Sequence, residues 1–142
     1  MADAAISWSS KKQPSTALSS TEGKYMALTH AAKESIWIQG FLTDIGFPPD
    51  STKILGDNQG VLALAVNPTY HAHMKHIQVC HHFVQECVDL GNVQLEYVPT
   101  NDQVMDILMK GLLEVKHEKF RKMMELFAVS AHREGMLEFN GN

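Results

Sequence analysis

An α/β domain with a partly parallel sheet is what this sequence predicts. Three observations carry the expectation: short period-two apolar stretches alternate with helical ones, Gly, Pro, Asn or Ser marks each change of period, and no internal repeat or low-complexity block breaks the order. The first strand is Ala4 to Ser10, where Ile6 and Trp8 alternate with small polar residues until Lys11, Lys12 and Pro14 end it. Ser20 or Thr21 then supplies an N-cap oxygen, with Glu22 in the electropositive first turn, so a helix begins here. Along it Tyr25, Leu28, Ala32, Ile36, Trp37, Phe41 and Ile45 recur at roughly 3.6-residue spacing, which predicts one long buried face, and Gly46, Pro48 and Pro49 stop it.

Lys53 to Gly56 reads as a second strand whose C-terminal end delivers Asp57. Asn58 and Gln59 lead into a short helix, Gly60 to Val66, closed by Asn67-Pro68, and the stretch Thr69 to Lys75 fits neither period and reads as a loop. From His76 the positions Ile77, Cys80, His81, Val84, Cys87 and Val88 line one helical face until Gly91. Val93, Leu95 and Tyr97 form a third strand that Pro99 ends. Thr100 or Asn101 caps another helix, with Val104, Ile107 and Leu108 inward and Asp106 near its start, and a last helix packs through Phe120, Met123, Met124 and Phe127. The expected architecture is thus three strands and five helices in one domain over residues 4–127, followed by a tail, 128–142, without sustained period and expected to be poorly ordered.

Composition sets limits on function. Twelve basic against sixteen acidic residues among 142 give a net charge of -4, so the whole molecule is not drawn to phosphate and any nucleic-acid contact must be local. No apolar run approaches the roughly 20 residues that span a bilayer, and no secretion signal opens the chain, so an intracellular protein, cytoplasmic or nuclear and without membrane partners, is expected. Cys80 and Cys87 stand seven residues apart on one helix, about 10 Å along its axis, and read as reduced packing thiols.

Two carboxylates could carry chemistry. Asp57 at a strand end and Asp106 in a helical first turn sit where one edge of an α/β sheet gathers side chains, so the pair could meet around Mg²⁺. Single aspartates at such places are more often caps or solvated charges. His71, His73, His76, His81 and His82 invite a zinc reading, yet no spacing matches a closed four-ligand site. Ser19 and Ser20 lack the glycine pattern of a nucleophile elbow and read as caps. Lys116, Lys119, Arg121 and Lys122 form a basic run that can touch phosphates or simply face water.

Longer strings sharpen this reading. Ala5-Ile6-Ser7-Trp8-Ser9-Ser10-Lys11-Lys12-Gln13-Pro14, Ala17-Leu18-Ser19-Ser20-Thr21-Glu22, Tyr25-Met26-Ala27-Leu28, Gly56-Asp57-Asn58-Gln59, Lys75-His76-Ile77, His82-Phe83 and Leu95-Glu96-Tyr97-Val98-Pro99-Thr100 resemble the ribonuclease H domain of copia-type retrotransposon polyproteins, in order, over roughly residues 4–126. The resemblance implies a ribonuclease H fold that hydrolyses the RNA strand of RNA–DNA hybrids during reverse transcription. In that family four carboxylates hold two Mg²⁺ ions about 4 Å apart, one activating water and the other stabilising the leaving oxygen.

By the same resemblance Asp57 and Asp106 match two of the four metal-binding positions. The family string Ser-Ser-Thr-Glu-Ala-Glu-Tyr carries a third in the second Glu, where this chain has Lys24; Glu22 sits about 200° away around the helix and reads as a first-turn carboxylate. The fourth belongs to a strand upstream of Ala4. Gln78 and Cys80 stand where the family commonly has Asp and Arg, and Met105 and Met109 where it has Ala and Thr. The resemblance therefore implies a truncated, largely parallel three-stranded sheet made of family strands 3, 4 and 5, with Ala4 to Ser10 paired in parallel to Lys53 to Gly56. An inactive domain is the expected function, with a reverse-transcriptase module as possible partner, oligomerisation through an exposed sheet edge, and a non-catalytic nucleic-acid- or protein-binding remnant as the alternative.

Overall fold

The computed structural model describes residues 5–10, 12–13, 16–66 and 78–126. The expectations for Thr69 to Lys75, for His71, His73 and His76, and for Phe127 and the tail fall outside these residues. The chain divides into two compact units, Lys12–Gln103 and Met1–Lys11 with Val104–Asn142.

The larger unit is built on helix α1, Ser20–Asp44. Ser19, one residue earlier than expected, is its N-cap: the Ser19 Oγ accepts from the Glu22 amide at 3.1 Å, while Glu22 Oε2 accepts from the Leu18 amide at 2.6 Å. This reciprocal exchange, a variant of the capping box, satisfies donors that the first turn leaves without helical partners. At the other end Gly46 adopts φ +86°, the Gly46 amide donates to Thr43 O at 3.0 Å and the Phe47 amide to Leu42 O at 2.8 Å. That is a Schellman ending, and it needs a residue able to enter the left-handed region.

Only part of the expected apolar face is buried. Tyr25, Leu28, Thr29, Ala32 and Ser35 face the interior, but Trp37, Phe41 and Ile45 are exposed, with Trp37 and Phe41 stacked at 6.0 Å. The reason is angular: at about 100° per residue Trp37 lies some 120° from Tyr25, and each further step of four residues adds about 40°. The single predicted stripe is two stripes on different sides. Gln39 belongs to the buried one, and its Nε2 donates to Thr52 Oγ1 and to Asn92 O, each at 2.7 Å, fastening the helix to the starts of both strands.

Those strands, β1 (Thr52–Gly56) and β2 (Val93–Tyr97), pair in parallel from Thr52 opposite Val93 to Gly56 opposite Tyr97. Between them come α2, Gln59–Val66, whose Val61 amide is held by Asn58 Oδ1 at 3.0 Å, and α3, Gln78–Asp89, which ends before Gly91 at φ +75°. Tyr25, Leu28, Ala32, Val61, Ala65 and Val84 form the core, joined by Ile54 and Leu95 from one face of the sheet. The opposite face carries Lys53 and Glu96, an exposed ion pair at 3.3 Å. Cys87 is buried and Cys80 half-buried, both free thiols as expected. No described helix is long and apolar enough to cross a membrane.

The smaller unit corrects two expectations. Residues 5–10 form no strand, and the sheet among the described residues is two-stranded, in the order β1–β2, so the strand predicted over Ala4 to Ser10, with its parallel pairing to Lys53–Gly56, is not found there. Alternation yields a strand only where a ladder partner is available, and here Ala5 instead donates to Met124 O at 3.2 Å and Ser10 Oγ to Leu108 O at 3.2 Å, leaving Ile6 and Trp8 exposed. The expected helix after Thr100 is two short 3₁₀ segments, Thr100–Asp102 at the edge of the larger unit and Val104–Leu108 in the smaller, broken by an extended Gln103. Among the described residues there are four α-helices rather than five. Confined between Pro99 and Gly111, the segment closes tight turns rather than a long ladder. Helix α4, Glu114–Met123, packs on the second of these through the fully buried Phe120, while Met123 is exposed.

Tyr25 combines full burial with a hydroxyl that has no hydrogen-bond partner among the described residues. Burial, and then the nearby Cys80, pushes its phenol up to about 12. Removing an unsatisfied polar atom while keeping the ring costs little, whereas removing the ring opens a cavity. Tyr25→Phe is therefore expected to leave the denaturation midpoint unchanged or higher, and Tyr25→Ala to cost about 3–5 kcal/mol, measured by urea titration. The folded-state pKa lies above the unfolded value of 10.0, so the wild type's stability is unaffected by this group below pH 10.0 and falls as the pH rises toward about 12. Tyr25→Phe is expected to remove that part of the alkaline loss.

Candidate functional site

The larger unit brings Lys24 and Asp57 together. Asp57 follows the last residue of β1, so the parallel ladder fixes its backbone, and Lys24 lies on α1 one residue before the buried Tyr25. Lys24 Nζ stands 3.1 Å from Asp57 Oδ1, with the lysine side chain 45% and the aspartate 22% exposed. A pair this open is worth about 0–1 kcal/mol, so it does little for stability. Its weight is in charge: one carboxylate and one ammonium sum to zero at the place where the sequence suggested a cation. Asn58 is committed to capping α2. Glu22, although nearly fully buried, is engaged at the helix entry through Leu18 and serves as the first-turn carboxylate that the sequence suggested.

Asp106 lies in the smaller unit and is buried. Its backbone carbonyl accepts from the amides of Met109 and Lys110, closing a turn that returns Lys110 to the carboxylate, with Nζ 2.8 Å from Oδ1. Lys116, from the first turns of α4, places its Nζ 4.0 Å from Oδ2. A buried carboxylate costs several kcal/mol unless it is paired, and here two ammonium groups compensate it with one positive charge in excess. Lys110 was within reach of sequence reasoning, four residues after Asp106. Lys116 was not, because an irregular stretch separates it from the aspartate.

His81 and the basic run on α4 make contacts of their own. His81 is buried on α3, its Nε2 lies 2.9 Å from Leu64 O, and its ring stacks on Tyr25 at 5.6 Å and meets His82 edge-on at 6.1 Å. Among the described residues no group of three or more His, Cys, Asp or Glu side chains could hold a metal ion. In the basic run, Arg121 donates to both oxygens of Glu118 at 2.6 and 2.7 Å, with Lys122 3.6 Å away. The Arg121 hydrogen bond holds the Glu118 carboxyl down at about 2, and Glu118 in turn raises the Arg121 guanidinium. Lys116 and Lys119 place their ammonium groups over the Phe120 ring at 5.2 and 6.0 Å.

No protein-family model matches the chain, and no solved structure matches it. Similar proteins are nonetheless known. The retrovirus-related Pol polyprotein from transposon RE2 of Arabidopsis thaliana is 35% identical over 133 residues, or 93% of this chain. That from transposon TNT 1-94 of Nicotiana tabacum is 37% identical over 120 residues, or 84% of the chain, and that from transposon RE1 of Arabidopsis thaliana 39% identical over 119 residues, or 81%. The chain spans only 8–9% of the length of these curated relatives. Its homologues are thus retrovirus-related Pol polyproteins from transposons, and it corresponds to one short segment of them.

Proposed function

We propose that this chain is a retrotransposon-derived ribonuclease H-like domain that has lost the capacity to cleave RNA–DNA hybrids. The observation that carries the reading is the 3.1 Å approach of Lys24 Nζ to Asp57 Oδ1. Two Mg²⁺ ions bring four positive charges, which the family's reaction balances with carboxylates and substrate phosphates. Here the two matched aspartates face three lysines: Asp57 is neutralised by Lys24, and Asp106 lies between Lys110 and Lys116. These donors do not fit a pair of Mg²⁺ ions. Lys24 is half-exposed and could swing aside at little cost, so the obstacle is missing negative charge rather than a blocked cavity. The reading implies a cytoplasmic or nuclear protein, with a reverse-transcriptase module as the partner that the family resemblance implies.

One observation favours a second, binding role. Lys110, Lys116, Lys119 and Lys122 all belong to the smaller unit of a chain that is acidic as a whole. Lys110 and Lys116 are drawn to Asp106 and Lys122 to Glu118, so these lysines would hold a phosphate backbone, without cutting it, by exchanging those pairs for phosphate contacts in a strongly salt-dependent way.

The purified chain is expected to leave a labelled RNA–DNA hybrid intact in Mg²⁺ or Mn²⁺, and calorimetric titration with Mg²⁺ to give no heat attributable to tight binding. Metal-dependent cleavage abolished by Asp57→Asn would overturn the reading. Lys24→Glu is expected to strengthen Mg²⁺ binding at Asp57, visible in the same titration, yet to remain without hydrolytic activity.

A further inference from the structure

The ladder between β1 and β2 uses only one edge of β1. The Thr52 amide donates to Asn92 O at 3.0 Å and the Val98 amide to Gly56 O at 2.9 Å, so in this parallel pair Thr52, Ile54 and Gly56 turn their backbone groups toward β2. Lys53 and Leu55 turn theirs the other way, and among the described residues no hydrogen bond reaches them there. Both face solvent, the Lys53 side chain 66% and Leu55 50% exposed. The outer edge of β2 differs, because Val93, one of its outward-turned residues, is 1% exposed. An edge left open in this way is a template for another strand.

The open edge of β1 is self-complementary. When two copies lie antiparallel about a twofold axis at Ile54, Ile54 meets Ile54 on the core face, and on either side of the axis Lys53 of one copy stands opposite Leu55 of the other. Each Lys53–Leu55 pair exchanges two N–H···O bonds, so every outward amide and carbonyl of the two residues finds a partner. Charge fits the same register. No lysine faces a lysine, the aliphatic stem of each Lys53 lies along the half-exposed Leu55 of the other copy, and beyond that leucine stands its ladder neighbour Glu96. A lysine on an edge commonly discourages pairing, but here Lys53 already lies 3.3 Å from Glu96 of its own chain, and the joined sheet carries two of each charge on its outer face. All of these residues belong to the larger unit.

We propose that this chain forms a twofold dimer through the outer edge of β1, joining two sheets of two strands into one of four, in the order β2–β1–β1–β2. The joined sheet passes the strand number below which a sheet is marginal in water. Because the contact is isologous it consumes the edge on both copies, so assembly stops at two.

Leu55 separates the fold from the dimer, since its two neighbours favour opposite charges. Within the chain it stands opposite Glu96, and in the dimer opposite Lys53 of the other copy. Leu55→Lys therefore adds an attractive cross-strand pair to the folded monomer while setting two like-charged pairs across the dimer axis. Sedimentation velocity over a concentration series is expected to show the wild-type mass rising from one chain to two and no further. Leu55→Lys is expected to raise the dimer Kd about tenfold with an unchanged circular dichroism spectrum. Adding Lys53→Glu to Leu55→Lys makes both pairs attractive and is expected to restore the dimer. A wild type that stays monomeric up to its solubility limit overturns the proposal, as does growth beyond two copies. So does a Leu55→Lys variant that dimerises like the wild type, which would assign the contact to another surface, and so does a folded double variant that stays monomeric.

Discussion

A two-stranded sheet of five-residue strands cannot stand in water by itself, so the larger unit depends on what covers it, and that cover is the inner stripe of α1. Tyr25, Leu28 and Ala32 supply the apolar area, and Gln39 ties the helix to both strands at one end of the sheet. The caps make this possible. Ser19 and Glu22 satisfy the entering amides while Gly46 turns the chain back toward β1, so the helix reaches its full length without stranding backbone groups. Asp57 inherits its position from this chain of constraints, since the ladder that fixes it is itself held by the helix carrying Lys24.

Charge then decides what the positions can do. Asp57 and Asp106 retain their carboxyl groups, but each sits beside ammonium groups that the chain itself provides. A carboxylate serves a divalent ion through uncompensated negative charge, and internal lysines remove that charge without altering the local backbone. The stability of this unit resides in the Tyr25 core and the helix caps rather than in the exposed ion pair.

Much of this was legible in the residues. The helices α1, α2 and α3 and the two strands that pair in one parallel sheet, β1 and β2, follow from period, turn residues and resemblance. Trp37 was misassigned because a rule of i plus four, repeated, rotates off the face on which it began. Ala4 to Ser10 was read as a strand because alternation is a property of the segment, whereas a ladder is a property of two segments. The breakdown of the Val104 helix into short turns is likewise tertiary: the Asp106 carbonyl spends its capacity on Met109 and Lys110, and α4 closes over the result. Lys116 lies beyond any local rule.

Both tryptophans of the chain, Trp8 and Trp37, are about two-thirds exposed in the folded state, at 66% and 67%. Their emission therefore already reports a watery surrounding before any unfolding. Intrinsic fluorescence is close to blind to the core of this protein, where the only large aromatic side chains without solvent contact are Tyr25 and Phe120 among the described residues. Unfolding of the larger unit is better followed through backbone ellipticity or the near-ultraviolet tyrosine signal, and a change in tryptophan emission is a report on the surface.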